Sequence, residues 1–445
     1  MTVTATAGTE FRAAHEQLVA GRGRTAPDWV GELRTRGIRG FEEQGLPTLR
    51  DEDWRFTSLA RLAETSFSLG ADAADVPADA VRPWLFPDLP GPLLVFVDGR
   101  YASALSRPGG LPEGVLCTSL AEAVRSHEDV VRPHLDRLAP SRPEPLTSLN
   151  AAFLEDGLFL HVPRGVVVEG AVHALFLATE GAGTMAHPRN LILVGETAQV
   201  SVVEDYVSLG SGASLTNAVS EVVVEDGGVC AHYVLERENE ESLAVTTVHA
   251  EQGRDSQFAS HSALVGGALV RNNVYPVLRG EGGWCLLNGL YVPTGRQHHD
   301  TFMVVHHASP HCDSRQFYRG ILNDRARAVF SGRIVVHEGA QKTDAKQTNM
   351  NLLLSDDALI DTKPQLEIYA DDVKCTHGAT VGQLDAEAIF YLRARGVPER
   401  EARGLLTFAF VNEVLDRMDL EPVRATLRGE LERRLPGVKL SENGA

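Results

Sequence analysis

The sequence predicts a mainly β protein with flanking α structure, built on a β-solenoid (a β-helix), and three observations lead there. From Leu158 to Tyr369 the text is short strands punctuated by turns, with almost no stretch of helical period. That stretch exceeds about 200 residues, more than one ordinary sandwich uses. It also offers no helices to cover a parallel sheet, whereas in a solenoid each coil covers the next. No clean repeat of fixed period accompanies the pattern.

The first region, residues 1–140, reads as a mixed, mostly helical domain. Phe11, Ala14, His15, Leu18 and Val19 recur at helix spacing, and Pro27 allows a new helix to start. Leu93 to Val97 is an apolar strand closed by the turn Asp98-Gly99-Arg100, and Ser119 suits the N-cap of a helix through Leu120, Ala123 and Val124. The solenoid core is expected over 148–382. Its strands begin with Leu158–Val162, Val166–Glu169, His173–Leu177, Asn190–Val194, Gln199–Tyr206 and Ala218–Glu225. They continue with Cys230–Leu235, Ala244–Ala250, Gln257–Val265, Val270–Leu278 and Cys285–Val292, then Phe302–His307, Ala328–Val336 and Asn349–Leu354. Val, Ile, Thr and aromatics fill them, with Gly, Asn and Asp between. Helices return over 383–445: Ala386 to Arg395, ended by Gly396, then one opened by Pro398, then Pro422 to Leu435. The middle helix carries a broad apolar stripe of Ala402, Leu405, Leu406, Ala409, Phe410, Val414 and Met418, which either caps the solenoid or docks another subunit.

Charge and composition narrow the function. The 445 residues carry a formal charge of −18, which repels phosphate backbones and argues against nucleic acid as a partner. The local cluster Arg22, Arg24, Arg34, Arg36 and Arg39 reads as a solvated helix face. The start of the chain lacks a basic segment followed by an apolar core, and no run of about 18 apolar residues exists, so neither export nor a membrane span is expected. Five cysteines, Cys117, Cys230, Cys285, Cys312 and Cys375, include no CxxC pair and suit a reducing cytoplasm rather than a disulfide framework.

No GxxxxGK[ST], G-x-S-x-G or H-E-x-x-H segment appears, so no phosphate-cradling loop or familiar hydrolytic constellation is present. Two clusters hold metal-ligating residue types. His298, His299, Asp300, His306, His307, His311 and Cys312 crowd one stretch, but neighbours on a strand point to opposite faces. They read as polar residues on an exposed face and at a turn near Pro310. Cys375 and His377, two apart, share a face if their segment is a strand. A thiolate and an imidazole suit zinc, copper or iron, yet supply only half of a four-coordinate site. Taken alone, such a pair more often packs and hydrogen-bonds than ligates.

The run Lys346-Gln347-Thr348-Asn349-Met350-Asn351-Leu352-Leu353-Leu354, then Asp361 to Ile368, Ala370 to Thr380 and Phe390 to Gly396, resembles the SufB/SufD family of iron–sulfur cluster assembly proteins. Weaker similarity covers Asn150 to His173, and Asp53-Trp54-Arg55-Phe56-Thr57 resembles the amino-terminal domain of SufD members. At the cysteine, Cys375-Thr376-His377-Gly378-Ala379-Thr380 is similar to SufD members, where SufB members read Cys-Glu-His-Glu-Ala-Thr. The resemblance implies a right-handed parallel β-helix and a non-catalytic scaffold subunit. It further implies pairing with a SufB-like subunit and docking of a SufC-like ATPase on the terminal helices, here through Leu405, Leu406, Phe410 and Val414. His377 then corresponds to the histidine at the SufB–SufD interface implicated in nascent-cluster assembly, and Cys375 to its neighbour, a half-site shared with the partner chain. Sulfur would arrive by way of the SufB-like subunit, and reduced flavin is a possible electron source for the complex.

Two rival readings follow from the residues. One is a β-helix carbohydrate-active enzyme using Asp356/Asp357 or Asp371/Asp372, although adjacent carboxylates on a strand face opposite ways. The other is a stand-alone metal-binding protein built on residues 298–312.

Overall fold

The computed structural model describes residues 3–70, 76–139, 144–179, 183–435 and 437, with side chains from Glu10 onward. The expected boundary at 140 and the segment 438–445 of the last region lie outside the described residues. Strands gather into two sheets, one of eleven strands and one of ten. From Arg189 onward consecutive strands alternate between the sheets, and each pairs in parallel with the strand two later in sequence. This is a parallel β-solenoid of about seven coils, as expected. Leu243 pairs with Leu269, Leu269 with His298, His298 with Arg327 and Arg327 with Leu359. The offset grows along that series because the connecting turns lengthen, which is why the sequence shows no fixed period.

Alternate residues of every strand point into the lumen and stack on their counterparts in the next coil. Val202, Val222, Val248, Phe258, Val274, Leu287, Met303, Tyr318 and Phe330 belong to the buried core built this way. The N-terminal region joins the same sheets. Leu93–Val97 pairs in parallel with Val172–Ala178, and Leu116–Ser119 pairs antiparallel with Leu158–Val162. Asp98 (φ 47°) and Gly99 (φ 79°) form the two-residue hairpin loop that returns the chain to Arg100–Tyr101. Ser119 caps Leu120–Ser126, its hydroxyl accepting from the Glu122 amide at 3.2 Å.

Helices cover both outer faces. Phe11, Leu18, Phe41 and Phe153 pack on Leu215, Leu243 and Leu269 of the first sheet. On the second sheet, Val411, Val414, Leu415, Met418, Val423 and Leu427 of the helices Glu399–Leu415 and Glu421–Arg434 and the loop between them pack on Tyr233, Leu235, Leu290 and Ile321. These helices lie along the flank, and among the described residues none caps the solenoid's end. No helix among the described residues is long and apolar enough to cross a membrane.

Three expectations need correction. Val166–Glu169 is not a strand. Left-handed Gly165 and Gly170 turn the chain there, leaving a single bridge from Val167 to Gln199. Conversely, Asp313–Leu322 and Leu359–Ile368 are strands that the expected series lacks. The Arg22–Arg39 cluster is not a solvated face throughout. Arg34 is buried and donates to the Leu154 and Gly23 carbonyls at 2.8 and 3.0 Å, and Arg22 holds Glu155 at 2.7 Å.

Candidate functional site at the open end of the solenoid

Leu359–Ile368 and Lys374–Gly382 form the last coil and are the terminal strands of their sheets. Pairing with Asp344–Leu353 sets Cys375 over Ala345, His377 over Gln347, Ala379 over Asn349 and Val381 over Asn351. Those four lower residues are buried, whereas Lys346, Thr348 and Met350 between them are not. In-register parallel neighbours share a face, so Cys375 and His377 both line the lumen at its mouth. With no further coil above it among the described residues, His377 is exposed and Cys375 half-buried.

Cys375 lies with Leu366, Ala370 and Val373 against the buried cluster of Ile334, Val336, Ala340 and Ala345. That burial pushes its thiol pKa up. Sulfur must be deprotonated to ligate, so an incoming cation has to displace the proton. Directly below lies a polar floor. Asn349 Nδ2 donates to the Tyr291 hydroxyl at 2.8 Å, Asn351 Nδ2 to Asn349 Oδ1 at 2.7 Å, and Thr362 Oγ1 to the same Oδ1 at 2.9 Å. Gln347 Nε2 donates to Gln316 Oε1. Gly320 makes room for this floor, since a Cβ there would meet the Tyr291 ring at 2.1 Å and Asn351 Oδ1 at 2.5 Å. Sequence reasoning missed Gln347, Asn349 and Asn351 as site residues. Their signal was present: amides at every second position of a strand otherwise expected to point apolar side chains inward.

The histidine-rich stretch is dispersed. His299 and His307 are fully buried, contrary to the exposed face expected for them. His299 Nε2 donates to the Gly266 carbonyl at 2.7 Å, and His307 Nε2 lies 2.8 Å from Ser314 Oγ. Burial lowers their pKa values to about 3 and about 4. His298 meets Thr57 Oγ1 at 2.9 Å, His306 meets His337 at 3.1 Å, and His311 occupies a turn at φ 57°. Among the described residues no three His, Cys, Asp or Glu side chains gather where a metal ion could be held. The acidic pairs sit in turns and are exposed: Asp357 pairs with Arg325 at 3.5 Å, and Asp372 with Lys342.

The four residues expected to dock an ATPase separate. Leu405 is 49% exposed and Leu406 is half-buried. Val414 is buried against the solenoid flank, and Phe410 is half-buried there under the Arg319 guanidinium, 4.4 Å from its centroid. Val414 therefore presents no side chain to a partner, because the helix turns that part of its stripe toward Tyr233 and Leu290.

Comparison with known proteins places this geometry in a family. Residues 176–410 match the family described as SUF system FeS cluster assembly, SufBD core domain, and residues 11–174 match the SufBD protein N-terminal region. The chain is 35% identical over 415 residues to the iron–sulfur cluster assembly protein SufD of Escherichia coli, covering 88% of this chain and 90% of that one. It is 31% identical over 422 residues to an iron–sulfur cluster assembly SufBD family protein of Synechocystis, covering 93% and 90%. Identity to SufB of Bacillus subtilis is 26% over 411 residues, covering 89% and 87%. A β-solenoid with N- and C-terminal helices, matched along nearly its whole length, belongs to the SufBD family of iron–sulfur cluster assembly proteins.

Proposed function

We propose that this chain is the SufD-type half of a cytoplasmic scaffold, meeting a SufB-type subunit at its open last coil and recruiting a SufC-type ATPase through its C-terminal helices. The observation that carries the reading is a thiol and an imidazole on one lumen face at an uncovered solenoid end. Two ligands leave a four-coordinate ion incomplete, and an uncovered strand edge is a template for another chain. Leu359, Ile368, Tyr369 and Val381 are exposed apolar residues of that same coil and its connecting turn. A partner docking there would bury them and bring further ligands to iron and sulfide, which are cargo in this reading. Cys375 and His377 hold that cargo and break no bond, so the subunit is not itself an enzyme.

Anaerobic co-expression with SufB-type and SufC-type partners, followed by iron and sulfide analysis, tests the proposal. His377→Ala is expected to leave the complex intact and its cluster content near zero. A normal load in that variant, or a stable cluster on the lone chain, would overturn it. For the ATPase, Leu405→Asp is expected to abolish co-purification of the SufC-type partner, and unchanged recovery would remove that helix from the docking surface.

A further inference from the structure

Beneath His377 the lumen holds an unusual pair of amides. The inward column runs Leu287, Gln316, Gln347, His377, each one coil from the next, about 4.8 Å apart. Gln316 and Gln347 are each 1% exposed. One hydrogen bond joins them, from Gln347 Nε2 to Gln316 Oε1. Gln347 Oε1 then has no partner, although it is buried, and a buried acceptor left unmet is destabilising. On the open side of Gln347 the next residue in the column is His377. The carboxamide's place is also reserved by the neighbouring sheet. At Gly332 a Cβ would stand 2.2 Å from Gln347 Nε2 and 3.0 Å from its carboxamide carbon, so only glycine leaves the amide where it is.

We propose that Gln347 is the positioning residue of His377, its carboxamide oxygen accepting the proton of one ring nitrogen so that the other nitrogen keeps its lone pair for incoming metal. Metal-binding histidines commonly donate their second ring N–H to a carbonyl or carboxylate, which fixes tautomer and ring orientation. Gln316 serves as the backstop, because its bond to Gln347 Nε2 turns the free oxygen away from itself. That metal is the cargo rests on the function proposed above. The tautomer lock does not.

The test reads the imidazole directly. Long-range proton–nitrogen NMR spectra of the full chain, with His377 identified by loss of its signals in His377→Gln, are expected to show one tautomer at alkaline pH. Gln347→Leu should release a mixture. Gly332→Ala should do the same with Gln347 still present, by pushing its amide aside. Gln347→Glu, which keeps an acceptor, should restore the single tautomer, and Thr348→Ala, on the outer face, should change nothing. In the assembled complex Gln347→Leu should also weaken Co²⁺ binding about 10–100-fold. A tautomer unchanged in both Gln347→Leu and Gly332→Ala would overturn the proposal. Should Gln347→Leu fail to fold, Gly332→Ala against Gln347→Glu still decides. A locked tautomer in a complex that loads no iron would instead defeat the cargo reading and leave the lock standing.

Discussion

The middle coils and the last coil are built from the same strands in the same parallel register, and they differ only in what covers them. Around Gln199–Leu278 every strand has a neighbour on both sides and nearly every residue is buried. Even charge is absorbed there. Glu204 accepts from Tyr206 at 2.8 Å and Ser220 at 2.7 Å and lies 2.9 Å from His232 Nε2. Although burial alone would raise its pKa, these partners hold it below the usual carboxylate range. Along Leu359–Gly382 one neighbour is missing, and side chains that would be core one coil earlier stand open. The lesson is that a solenoid exposes its interior chemistry only where stacking stops.

Acid should break this contrast with the largest effect. Burial lowers the pKa values of His187, His261 and His299 to about 3 and of His307 to about 4. All four lie in covered coils. Between those values and about 6.5 the unfolded chain binds protons that the native one refuses, so stability is complete above about 6.5 and falls as pH drops. Each imidazole contributes about 1.4 kcal/mol per pH unit. Glu238 acts oppositely, since burial raises its pKa to about 7 and its contribution fades as pH rises from about 4.5 to 7. Burial also raises the carboxyl pKa values of Glu236 and Asp156, but three carboxyls do not offset four imidazoles between about 6.5 and 4.5. Urea midpoints measured from pH 6 to pH 4 should therefore fall steadily, and a flat profile would contradict the burial of these rings.

Next in size is a core truncation. Phe330→Ala, in the covered lumen, should cost about 3–5 kcal/mol, whereas His377→Ala at the mouth should stay within about 0.5 kcal/mol. Urea denaturation of the two variants side by side checks the difference. Thr57→Ala should cost an intermediate amount, about 1–3 kcal/mol by thermal or urea unfolding. Its hydroxyl donates to buried Asp300 at 2.6 Å, and that carboxylate would keep only Arg271. The smallest effect on the isolated chain belongs to Val381→Lys at the exposed end, within about 0.5 kcal/mol. The same variant should nevertheless block co-purification with a SufB-type partner.

Much of this architecture is legible in the sequence. Alternation identifies most strands, and the Asp98-Gly99 hairpin, the Ser119 cap and the three C-terminal helices appear where local chemistry puts them. Alternation groups residues by face, so their spacing alone pairs Cys375 with His377. It does not say which face is inward, and the amides at 347, 349 and 351 invert the usual rule. Register between coils is not local either, because turns of unequal length separate Gln347 from His377. His299 and His307 are buried rather than exposed because a neutral imidazole packs far better than its polar label suggests. The outermost strand Leu359–Ile368 is not legible because Pro364 and its charged residues do not read as core. Such composition belongs to strands at sheet edges.

The segment Glu52–Thr57 lies across four successive coils. Trp54 stacks under Arg271 at 3.8 Å, Thr57 holds Asp300, Asp53 approaches Arg333 at 3.7 Å, and Glu52 meets Lys363 at 2.9 Å. Glu52 and Lys363 are 311 residues apart in the chain. At synthesis rates of about 5–20 residues per second, the early partner waits roughly 15–60 s for the late one. The final coil is consequently met by a piece of polypeptide that left the ribosome long before it, and that early piece has to stay available until Lys363 has been made.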